Sequence, residues 1–217
     1  MITTTVRGLA AAALAVLPLL AAAPAQAAET LPLADAVRQL PLAVESRDGY
    51  QRSSFEHWVD EDKDGCSTRA EVLIAESRVA ATVGPRCRVT AGQWYSYYDA
   101  VTLTVPGGLD IDHMVPLAEA WDSGASQWAP ARREAYANDL AAGRSLVAVT
   151  ARTNRSKADQ DPAQWLPPLA DARCSYAADW VSTKLRWGLS VDEAEADALA
   201  ELAKGCGQEV VEYEPAL

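Results

Sequence analysis

Four cysteines, Cys66, Cys87, Cys174 and Cys206, constrain this chain of 217 residues more than any other feature. An even number of thiols in an exported chain favours disulfides, and the first residues read as an export signal. Arg7 supplies a positive start, Leu9 to Leu20 an apolar run, and Ala25-Gln26-Ala27 a small-x-small cleavage site. Pro18 interrupts the run, which is mostly Ala and a poor match to the ~20 strongly apolar residues of a membrane span. Residues 1–27 therefore read as a signal peptide, and the protein as secreted, with no membrane attachment once processed. The sequence has no Cys-x-x-Cys pair, and both histidines lie far from any cysteine, which argues against a structural zinc site. The most economical pairing is Cys66–Cys87 with Cys174–Cys206, each closing its own half of the chain.

The remaining stretch, about 190 residues, is long enough for one domain with a substantial core. Residues 28–48 read as a short N-terminal segment, with one helix from Leu33 to Leu40. Ser67 to Ala80 has helical spacing in Val72, Leu73, Ala75 and Val79. Trp94 to Val105 is rich in aromatic and β-branched residues and ends in Pro-Gly-Gly, the pattern of a strand and a turn. Leu109 to Val115 alternates as a second strand, stopped by Pro116. Helices are expected from Leu117 to Trp121 and Pro130 to Leu140, a strand from Ser145 to Thr150, and a short helix opening at Asp161-Pro162. Two helices follow, Tyr176 to Trp187 and Val191 to Lys204, the second with Ser190 as N-cap, Glu193 completing a capping box, and Gly205 as its stop. The sum is one α+β domain, 49–208, followed by an acidic C-terminal tail, 209–217.

The net charge of −11 would repel nucleic acid if it were spread evenly. It is not. Six basic residues (Arg132, Arg133, Arg144, Arg152, Arg155, Lys157) face only Glu134 and Asp139 between positions 131 and 157, whereas the residues after 189 carry eight acids against Lys204. The middle of the chain is where an anion could sit.

That middle also holds the most specific pattern. Asp110-Ile-Asp112-His113 ends a predicted strand before Val115-Pro116. On a strand, Asp110 and Asp112 share a face and His113 points away unless the chain bends, and Pro116 makes a bend plausible. Ala137-Asn138-Asp-Leu follows, then a strand Leu-Val-Ala-Val, then Asn154-Arg155-Ser-Lys157-Ala-Asp. In this order the motifs resemble the HNH, or ββα-metal, nuclease family, in the variant that carries Asn in place of the last His. This is the variant found in RNA-guided nucleases and in the C-terminal domain of GmrSD-type restriction enzymes. The resemblance extends to small exported bacterial proteins of that family through Asp-Gly-Cys near the start, Pro-Leu-Ala-Glu-Ala-Trp after the His, Trp165-Leu-Pro-Pro, and Cys174-x-Tyr176. It spans about Tyr50 to Cys206.

The resemblance implies a ββα-metal core with a short β-hairpin, surrounded by helices and stapled by disulfides, and an endonuclease acting on nucleic acid. His113 would take a proton from the attacking water, its ordinary pKa lying near working pH. Asp112 and Asn154 would hold a divalent cation, Mg²⁺ or Mn²⁺ by the all-oxygen donor set. Asn138 would hold the loop that orients His113, and Arg155 and Lys157 would engage phosphate oxygens. Asp110 is a further ligand or a supporting carboxylate. No obligate protein partner is evident, and neither the choice of DNA or RNA nor any sequence specificity is written in these motifs.

A second pattern is separate. Asp60, Asp62, Asp64, Gly65 and Glu71 stand at EF-hand spacing, which converges carboxylates on Ca²⁺. Ser67 takes a place that is usually apolar, and Cys66 falls inside the loop, so the same residues also fit a solvated acidic turn. His57, between Phe55 and Trp58, reads as a packed side chain; Trp121 and Trp128 are near enough in sequence to shape a groove. Two rival functions follow: a secreted, calcium-stabilised cell-surface binding module whose HNH residues have lapsed, and a different metal-dependent hydrolase. The second finds no His-Glu-x-x-His helix or Gly-x-Ser-x-Gly elbow to support a protease.

Overall fold

The β-branched run Leu146–Thr150 is buried along its whole length, because it has apolar neighbours on both faces. The computed structural model that shows this describes residues 27–216, so residues 1–26 of the expected signal peptide lie outside the described residues. In chain order the elements are β1 (Glu29–Pro32), α1 (Leu33–Val37), α2 (Thr68–Ala75), β2 (Thr82–Gly84), β3 (Arg88–Ala91), β4 (Trp94–Ser96) and β5 (Val101–Leu103). They continue with β6 (Leu109–His113), α3 (Leu117–Asp122), α4 (Pro130–Ala137), β7 (Leu146–Thr150), α5 (Ala151–Lys157), α6 (Arg173–Trp187), α7 (Glu193–Gly205) and β8 (Val210–Tyr213). The result is α+β: helices around four two-stranded antiparallel sheets, with two disulfides. No described helix is long and apolar enough to cross a membrane.

The β6–β7 pair is central. Its register sets Asp110 opposite Val149, Asp112 opposite Val147 and His113 opposite Leu146. Alternation along β7 splits its side chains between two hydrophobic clusters. Val147 and Val149 join the main core of Met114, Val115, Tyr176 and Trp180, while Leu146 and Ala148 join Leu109, Ile111, Val72, Leu73 and Trp94. α5 follows β7 without a connecting loop, opposite the start of β6, and returns along it, so that Lys157 reaches Asp112, His113 O and Met114 O where β6 ends.

The termini close on the same body. β1 pairs with β8, so the N-terminal segment and the acidic tail form one small sheet that packs on α6. Both disulfides join as expected, Cys66 to Cys87 and Cys174 to Cys206.

Three expectations need correction. Residues 94–105 are a hairpin rather than one strand, reversing through Tyr97–Ala100 with Ala100 at φ +58°. The turn is fixed from outside, since Asp99 accepts hydrogen bonds from Thr150 Oγ1 and Thr153 Oγ1. At Asp161 no helix forms. Asp161 Oδ1 takes the N–H groups of Ala163 and Gln164, and Pro167-Pro168 cannot continue a helix. Finally, α7 is capped by Asp192, whose Oδ1 accepts from Glu195 N–H at 2.7 Å, not by Ser190. Ser190 instead donates to Ser123 O, and Val191 bridges to Leu42.

Candidate active site

At the end of β6 the chain turns, and a pocket of about 310 Å³ opens between that strand, the start of α3, α5 and the turn at Arg52. Its lining includes Asp112, His113, Asn154 and Arg155, so two pairs of neighbours from distant parts of the chain share one cavity. The bend expected near Pro116 is present: Asp112 and His113 are neighbours on a strand, yet both reach this pocket.

His113 is buried, and its Nε2 lies 2.9 Å from Ala137 O. A carbonyl can only accept, so Nε2 carries the hydrogen and Nδ1 keeps a lone pair. Burial is the main reason its pKa falls to about 3. The ring is therefore neutral across the working range and keeps a lone pair, but it is a weaker base than the free imidazole expected from the sequence. Trp58 lies against it, with ring centroids 5.3 Å apart, and adopts φ +64° to do so. His57 is half-buried, its Nδ1 3.0 Å from Phe55 O and its ring 6.3 Å from that of His113.

Asn138 is next to the carbonyl that His113 uses, and it makes four hydrogen bonds of its own. Its Oδ1 accepts from Val59 N–H and Thr68 Oγ1; its Nδ2 donates to Glu56 O and Glu134 O. It thereby ties the end of α4 to the segment that carries Trp58, and its hydrogen bonds go to partners other than His113.

Asp112 is buried beside the pocket. Its Oδ2 accepts from Tyr98 OH at 2.6 Å and from Lys157 Nζ at 2.5 Å. Burial pushes the carboxyl up and the ammonium down, and their attraction opposes both shifts. Lys157 is 0% exposed and also donates to His113 O and Met114 O, which uses all three of its protons. It has none for a phosphate, which corrects the role expected of it: Lys157 holds Asp112. Arg155 is exposed, with Nε 3.4 Å from Asp110 Oδ2, so Asp110 serves the arginine at the rim and does not line the pocket. Trp121 and Trp128 do not line it either; they pack against Phe55 and Tyr136 behind it.

Sequence reading missed three contributors. Tyr98 is at a turn that read as strand, and Ala137 acts through a backbone atom that no side chain advertises. Arg52, which lines the pocket, belongs to a segment that showed no motif there.

The acidic loop stands apart. Asp60, Asp62 and Asp64 have carboxylate oxygens within 4.8 Å of one another, all exposed. Gly65, at φ +94°, donates its N–H to Asp60 Oδ2. Glu71, on α2, is outside that trio; burial and then Asp62 and Asp64 raise its pKa. The donor set at Asp112 and Asn154 is a carboxylate and an amide, with no thiolate, which fits a hard divalent cation.

One small pocket of a disulfide-stapled α+β domain thus brings together a neutral histidine, a carboxylate and an amide. The family described as GmrSD restriction endonucleases, C-terminal domain, matches residues 74–202, and this chain belongs to it. An uncharacterized secreted protein of the fungus Arthroderma benhamiae is 40% identical over 160 residues, covering 74% of this chain and 77% of that protein. No solved structure matches.

Proposed function

We propose that this protein is a secreted, metal-dependent endonuclease of the HNH type that hydrolyses phosphodiester bonds of nucleic acid, DNA foremost. The observation that carries the reading is His113: its Nε2–H is committed to Ala137 O, which leaves Nδ1 as the acceptor, and the residue lines the same pocket as Asp112 and Asn154. Family membership and the order β6, β7, α5 support it. The secreted relative and the two disulfides support export.

In this reading Nδ1 of His113 accepts a proton from water, the water oxygen bonds to phosphorus, and the bond from phosphorus to the 3′ oxygen breaks. Asp112 Oδ1 and the Asn154 amide oxygen would hold a divalent cation, since Lys157 and Tyr98 occupy Oδ2 and fix the carboxylate. When bound, that cation supplies positive charge for the phosphate and the leaving oxygen. Asn138 serves by fixing the α4 end from which Ala137 offers its carbonyl, and Arg155 stands at the rim for the backbone. Apart from the His113 ring, the pocket lining contains no aromatic side chain on which a base could stack. Contact with the sugar–phosphate backbone alone gives cutting without sequence choice.

For the 60–71 loop we infer a structural Ca²⁺ site, on the convergence of its three aspartates and the Gly65 turn. The loop closes on Val59 and Thr68, both bonded to Asn138, so an ion there would brace the segment behind His113. Calorimetric titration of Asp64→Ala against the parent checks it; equal calcium uptake would remove the site. A binding module with a lapsed centre has less support, because the histidine is in a working tautomer. The experiment for the main reading is an assay on plasmid DNA, RNA and a generic phosphodiester. Cleavage is expected with Mg²⁺ or Mn²⁺ and none with EDTA; cleavage that survives EDTA would end the metal-dependent assignment.

A further inference from the structure

Three cations lie at or beneath the pocket, and they are not equivalent. Lys157 has no proton to spare, and Arg155 has Asp110 within 3.4 Å. Arg52 lines the same cavity, is exposed, and forms no ion pair among the described residues. Asp159, the other acid in the lining besides Asp112, faces Arg47 at 3.7 Å and not Arg52.

The backbone under Arg52 is held firmly. Residues Arg52–Ser54 form one 3₁₀ turn. Phe55, which ends it, is 1% exposed and packs edge-on against Trp121 and Tyr136, with centroids 6.4 and 6.0 Å away. Arg133 Nε donates to Ser54 O at 3.0 Å. A guanidinium paired with no acid among the described residues, its near neighbour the Tyr50 hydroxyl, on a rigid support beside a neutral base and a carboxylate, is what recognition of a phosphate group by a two-pronged donor requires. The match to the family model begins at residue 74, so it assigns nothing to this turn.

We propose that Arg52 is the phosphate anchor of this pocket, gripping the non-bridging oxygens of the backbone phosphate that His113 and Asp112 face. This rests on the phosphodiester reading above. The contact carries no base information, so it adds affinity equally for every sequence.

Equilibrium binding of a fluorescein-labelled single-stranded DNA oligonucleotide, followed by anisotropy across a KCl series with EDTA present, tests it without cleavage. The proteins are the parent, Arg52→Ala, Arg52→Lys, and Arg152→Ala, which removes the same charge from an exposed position outside the pocket. Thermal melting confirms that each remains folded. Arg52→Ala should weaken binding at least tenfold and lower the slope of log K against log salt by about 0.7, one phosphate contact on a single strand. Arg52→Lys should keep the slope while losing part of the affinity, because a point charge replaces a fork. Arg152→Ala should change affinity much less. In the cleavage assay, the Arg52→Ala defect should be larger in KM than in kcat.

If the parent cleaves and Arg52→Ala binds and cleaves like it, the anchor is wrong and the nuclease reading stands. If the parent binds through Arg52 yet cuts nothing with any divalent cation, the anchor stands and the hydrolase reading fails. A parent that binds no oligonucleotide overturns both.

Discussion

Lys157 shows how a residue's chemistry is set by what surrounds it. In Asn-Arg-Ser-Lys it reads as a solvated cation, but in the fold it is fully enclosed and bonded to Asp112, His113 O and Met114 O. Removing one partner of a buried pair leaves the other charge uncompensated, at a cost of about 3–5 kcal/mol. Lys157→Met should therefore lose that order of stability in urea denaturation, against less than ~1 kcal/mol for Arg155→Ala, whose pair with Asp110 is exposed. Equal, small losses would contradict the assignment. That Asp112, His113 and Asn154 would line one pocket was legible because their order along the chain is specific. The acceptor for His113 was not, because it is the backbone oxygen of an alanine. Nor was Tyr98, which reaches Asp112 only through a turn whose shape depends on Asp99 meeting Thr150 and Thr153.

Elements with strong periodicity or clear stops were readable: β6 before Pro116, β7 as an apolar run, and α6 up to Gly188, which takes the left-handed conformation at its C-terminus. Elements shaped by distant contacts were not. α7 read as capped by Ser190, but its cap is Asp192, because the segment before it is recruited by Leu42 and Ser123. Glu195, three residues on, then points into the core to Trp180 and Lys184. The cap predicts that Asp192→Ala costs ~1 kcal/mol, read as a lower urea midpoint. An unchanged midpoint would mean that the helix start is held by other means.

The whole molecule carries buried acids whose protons tie stability to pH. Lys184, 0% exposed, donates to Glu119 and Glu195, and Glu45 lies beside them, sharing the Ser123 hydroxyl with Glu119. Burial first, then its acidic neighbours, raises Glu45 from 4.5 to about 8; burial raises Glu195 and Glu76 to about 7. For these groups the folded chain holds protons that the unfolded chain releases above 4.5, so their contribution is complete below that value and is lost as pH rises through 7 to 8. His113 has the opposite sign. Its pKa falls from 6.5 to about 3, so its contribution is complete above 6.5 and is lost as pH falls towards 3. Three raised acids outweigh one lowered histidine above 4.5, so thermal melting should peak near pH ~4.5 to 5 and fall through pH ~8, with Glu45→Gln flattening that arm. Melting temperatures that climb from 6.5 to 8 would contradict it. The central claim is that His113 is the base of a metal-dependent nuclease, and His113→Ala, assayed on plasmid DNA with Mg²⁺ or Mn²⁺, tests it most directly. The account predicts a variant that melts as one folded unit yet leaves the plasmid intact where the parent cuts it. A folded variant that cuts at the parent's rate would contradict it.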